Sequence, residues 1–60
     1  MNELNNDELA ALKRHAVVER RRMLALRDGF QPDTKSYADY QYRAEFWDNI
    51  VAKLTRALDS

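Results

Sequence analysis

Apolar side chains recur along this chain at intervals of three and four residues. In the second half Tyr37, Tyr40, Ala44, Trp47, Val51, Leu54 and Leu58 stand 3, 4, 3, 4, 3 and 4 apart. Such spacing keeps one face of a helix turned toward a partner helix. In the first half Leu9, Leu12, Ala16, Glu19, Met23 and Leu26 repeat the pattern, with one acid in the seam. Neither half alternates with a period of two, so the pattern predicts helices and no strands.

The only glycine and the only proline stand three apart in Asp28-Gly29-Phe30-Gln31-Pro32-Asp33, and they divide the chain into two helices. The first is predicted from about Asn6 to Asp28. Asn5 can cap its free N–H groups, and Glu8 can reach back to complete a capping box. Leu4 and Leu9 have the spacing of a hydrophobic staple across that cap. Asp7 and Glu8 favour the positive end of the helix dipole, and Arg27 the negative end. Gly29 suits the left-handed residue that closes a helix, with Phe30 free to fold back on the last turn. The connection is predicted over 29–35. The second helix then runs from Ser36 to about Leu58, with Asp33, Thr34 and Ser36 as candidate caps; Ser36 and Asp39 also have capping-box spacing.

A short connection makes the helices antiparallel neighbours. Folding there pairs Leu26 with Tyr40, Met23 with Ala44, Glu19 with Trp47, Ala16 with Val51, Leu12 with Leu54 and Leu9 with Leu58. The expected fold is all-α: one domain, 1–60, forming a two-helix hairpin. Ala10, Val17 and Leu24 flank one seam; Phe46, Ile50 and Ala57 flank the other. These flanks widen each apolar arc beyond what a hairpin alone covers, so two copies are expected to pair into a four-helix bundle. Val17, Leu24, Phe46 and Ile50 are the expected dimer or partner contacts. Tyr42, pointing away from the seam, is a further partner contact, since Tyr is favoured at interfaces.

Length sharpens this. The chain has 60 residues and no Cys, so it has neither disulfides nor thiolate metal sites to supplement a small core. Oligomerisation or very efficient helix packing must do so. Ten basic and ten acidic residues leave a formal net charge of zero, which argues against a general polyanion binder. The sequence shows neither the basic start and apolar stretch of a secretory signal nor a membrane-length apolar run. The expectation is a soluble, cytoplasmic protein without a membrane role.

Charge is nevertheless unevenly spread. Lys13, Arg14, Arg20, Arg21 and Arg27 lie along one side of the first helix, a ridge able to track a phosphate backbone. His15 and Arg22 fall on the other edge. The plainer account is a solvated helix face, balanced by Asp39, Glu45, Asp48 and Asp59 of the second helix. No helix-turn-helix turn, zinc-ligand set or RNA-recognition motif accompanies the ridge.

Glu19 is the residue most out of place, since an acid in an apolar seam costs stability unless bonded. A contact with Trp47 or Arg43 would let it set the register, as single polar seam residues can. His15 and Glu19 have the i, i+4 spacing of two metal ligands, but a third ligand is missing, so no metal site is expected. A catalytic constellation, a phosphate-binding loop and a cofactor site are also not expected. The sequence therefore points to a non-enzymatic helical interaction or regulatory protein that binds a protein partner. The alternative is a nucleic-acid-binding regulator using the basic ridge. The plan is similar in architecture to small RNA-binding regulators built as hairpin dimers, a likeness that carries no sequence motif.

Overall fold

The computed structural model describes residues 4–59. Two helices account for most of them: α1 (Asn6–Arg27) and α2 (Lys35–Asp59). They lie side by side in a body of 41 × 16 × 15 Å. At 1.5 Å per residue, helices of 22 and 25 residues are about 33 and 37 Å long, so each spans nearly the whole molecule. No helix is long and apolar enough to cross a membrane.

The start of α1 follows the sequence. The Asn5 side chain accepts from the Glu8 backbone N–H at 2.8 Å. The Glu8 carboxylate accepts the Asn5 N–H at 3.1 Å. This reciprocal box satisfies two donors that the helix itself leaves free. Asn5→Ala is expected to cost about 1 kcal/mol, read as a fall in Tm of about 4–8 °C by circular dichroism.

The end of α1 departs from expectation. No glycine has a positive φ, so Gly29 is not a left-handed closing residue. The chain instead tightens into three-residue turns. Gly29 N–H donates to Leu26 O at 3.2 Å, and Phe30 N–H donates to Arg27 O at 3.0 Å. These bonds use the last carbonyls of α1 without a reversal of backbone handedness. Phe30 does not fold back on α1; its ring stacks on Tyr40 of α2, with centroids 5.8 Å apart and planes 15° apart.

A second turn follows at once. Thr34 N–H donates to Gln31 O at 3.0 Å, placing Pro32 where its fixed φ suits the second position of a β-turn. Among the candidate caps, Thr34 does the work. Its hydroxyl donates to Gln31 O at 2.7 Å and accepts from Tyr37 N–H at 3.2 Å. One side chain thus joins the turn to α2, which therefore starts at Lys35, one residue before Ser36. Thr34→Ala removes both bonds and is expected to cost about 1–2 kcal/mol, measured by thermal unfolding.

Across the hairpin, Arg20 meets Asp48 and Arg27 meets Gln41. Both helices advance seven residues between these contacts, in opposite directions. This antiparallel register falls within about one turn of the expected layers. All seven α2 seam residues are buried or half-buried, as are Leu9, Ala16, Glu19 and Met23 of α1. Leu12 and Leu26, expected in the same seam, stay exposed. Among the described residues only Leu9, Ala16 and Ala44 are fully buried, and Leu9 alone is large. Two helices touch along a line, so the other large side chains are covered on one flank only.

Candidate interaction site

The hairpin has two broad faces, told apart by the contacts that cross it. On one, Arg20 pairs with Asp48 at 3.6 Å and Arg27 donates to Gln41. On the other, the His15 ring meets Trp47 edge-on at 5.8 Å, and Trp47 meets Phe46 edge-on at 5.6 Å. Successive helical residues turn by about 100°. This places Ala10, Val17 and Leu24 on the Arg20 face of α1. Leu12, Glu19 and Leu26 turn toward the Trp47 face, which Phe46 and Ile50 of α2 continue.

The four residues expected to share one interface are therefore divided. Val17 and Leu24 lie on the Arg20 face, and Phe46 and Ile50 lie on the opposite one. The separate flanks were legible in the two helical patterns. Their relative placement was not, because it depends on how each helix rotates about its own axis when they pack. Tyr42 points away from α1 and is among the most exposed large side chains.

The two faces differ in chemistry. Beside Leu24 the Arg20 face carries Gln41, Glu45 and Asp48, and Gln41 donates to Glu45 at 3.1 Å. Polar groups so placed would lose water in an apolar contact. The Trp47 face is richer in unsatisfied apolar surface: Leu12 is 45% exposed, Leu26 42% and Phe46 52%. Aromatic side chains run along it, with Arg43 over the Tyr40 ring at 5.5 Å.

Glu19 does not make the cross-helix contact expected of it. Its carboxylate pairs with Arg22 on its own helix at 3.7 Å, and His15 occupies the edge of Trp47. Arg43 is engaged by Tyr40. A mostly buried acid with one same-helix partner is a weak point in the seam. Glu19→Leu is expected to raise Tm by several degrees; a fall in Tm would show that the Glu19–Arg22 pair contributes net stability. The His15–Glu19 spacing brings no further ligand, and the described residues contain no group of three metal-ligating side chains.

The basic ridge is split. Arg20 leans onto Asp48. Arg27 is held by Asp28, by Gln41, and over the Tyr37 ring at 5.1 Å. The hydrogen bonds that Arg27 donates to the Asp28 carboxylate, with its negative charge, raise the Arg27 pKa above its ordinary value, an effect that burial opposes. Arg22, on the other edge, is taken by Glu19. Among the described residues of α1, that leaves Lys13, Arg14 and Arg21 as the cations without an ionic partner. Comparison with family models, curated proteins and solved structures finds no match to this chain.

Proposed function

We propose that this chain is a non-enzymatic interaction module, possessed of regulatory rather than catalytic chemistry, which works as a homodimer and binds a protein partner. Two hairpins pair through their Trp47 faces into a four-helix bundle. The observation that carries this reading is the run of half-exposed apolar side chains at Leu12, Leu26, Phe46 and Ile50 beside Trp47. Area supports it. A compact monomer of 7.1 kDa is expected to expose about 4,100 Å². The hairpin exposes 4789 Å². The excess, about 700 Å², is that of an elongated two-helix body, which leaves apolar surface for a partner to cover.

The basic ridge would support nucleic-acid binding only through those residues that face solvent. Two of its five members, Arg20 and Arg27, are held against α2, which favours the protein-binding reading. Multi-angle light scattering tests the proposal. The expected mass is twice that of the chain at micromolar concentration, while a single-chain mass there would overturn the dimer.

A further inference from the structure

The Arg20 face carries a shallow groove along α1. Its floor is apolar, formed by Ala10 and Val17 with Leu58 of α2; Lys13, Arg14 and Arg21 rim it, and Val18 lies beyond the Arg14–Arg21 border. On the helix, Lys13 stands to one side of the Ala10–Val17 line, and Arg14 and Arg21 stand to the other. The rim consists of the same three α1 cations that have no ionic partner among the described residues. The intramolecular contacts neutralise the rest of the ridge and leave charge concentrated around this one apolar strip.

We propose that the groove binds an acidic amphipathic helix of a partner protein, with apolar residues at three- and four-residue spacing and Asp or Glu on both borders. The strip from Ala10 to Arg21 is about 17 Å long, enough for three turns of such a helix. A helix laid in a groove is read through apolar anchors at that spacing. Carboxylates on both borders would meet the unpaired cations, which an uncharged partner would leave poorly solvated.

Two other occupants fit less well. A nucleic-acid backbone engages the charges but gains nothing from an apolar floor of Ala10 and Val17. A second copy of this chain would offer the Phe46–Ile50 row of α2, and that row is bordered by Arg43 and Lys53, like charges against the rim. The inference extends the reading of the chain as an interaction module and does not depend on the dimer.

The test uses the full chain and an 18-residue synthetic amphipathic peptide with Leu at three- and four-residue spacing and Glu on both borders. A matched peptide carries Gln in place of Glu, and a short DNA duplex serves as the third probe. Amide chemical shifts are followed in each titration. The Glu peptide is expected to shift Ala10, Val17, Val18 and Leu58 saturably and to bind at least tenfold tighter than the Gln peptide. Charge reversal by Lys13→Glu, Arg14→Glu and Arg21→Glu is expected to remove that preference while helicity is retained. Arg14→Gln with Arg21→Gln, a milder change at exposed positions, should weaken it severalfold. Equal binding of the two peptides, shifts centred on Phe46, no saturable shifts, or tighter binding of the duplex would each overturn the proposal. Light scattering on the same samples reads the dimer separately: a monomer that still prefers the Glu peptide overturns the dimer and leaves the groove standing.

Discussion

Phe46→Asp combined with Ile50→Asp is expected to convert a dimer into a chain of single mass and to strip it of much of its helicity. Burying one such side chain contributes about 1.5–3 kcal/mol. A symmetric contact uses each position twice, so the pair of substitutions removes about 6–12 kcal/mol. Even the lower figure weakens association by about 10⁴-fold. Unfolding should accompany dissociation, because Leu9 is the one large side chain that the isolated hairpin fully buries among the described residues, and small chains without staples are marginal. Light scattering and circular dichroism read the two effects. Val17→Asp with Leu24→Asp is the control, since those residues lie on the opposite face; the dimer mass should survive it. If the control dissociates and the Phe46/Ile50 variant does not, the two faces have been assigned the wrong way round.

Ala16→Leu is the second large effect. Ala16 is 1% exposed and Ala44 3%, so at these positions the small side chain is what lets the helices approach. Helix axes pack 8–10 Å apart according to the side chains at the contact. Three added heavy atoms at Ala16 must separate the helices or force strained rotamers, at about 1–3 kcal/mol. In a chain of this size that lowers Tm by about 5–20 °C. Ala44→Leu should behave alike. Ala25→Leu, at an exposed position of α1, should change Tm by only a few degrees, as surface substitutions usually do. Thermal unfolding of the three variants separates close packing from a general intolerance of bulk.

Much of the hairpin was legible in the sequence because it rests on local rules. The 3–4 spacing of the α2 seam reports a helix face directly, and Asn5 with Glu8 specifies a bond pattern that few other residue pairs can make. The turn was less legible. Gly29 permits a left-handed conformation without requiring one, and successive tight bonds near Gln31 and Thr34 satisfied the backbone another way. Thr34 was one of three residues able to cap, and nothing local ranks a hydroxyl that also bonds backward above one that does not. An acid in the seam is visible in the sequence, but the partner of Glu19 depended on rotamers: Arg22 lies near on the same helix, and His15 packs against Trp47. The faces of the candidate site were least legible, since helix rotation is fixed only by the whole packed pair.

The segregation of the two faces has a geometric corollary. A dimer closed through the Trp47 faces would carry its two grooves on its outer sides, turned away from each other and related by a twofold axis. One short partner helix cannot reach both. Each dimer would hold two partner molecules apart, or bridge two sites on one long partner. In the second case the gain in avidity would be set by the partner's linker length, because the linker must pass around the bundle before the second site can be engaged.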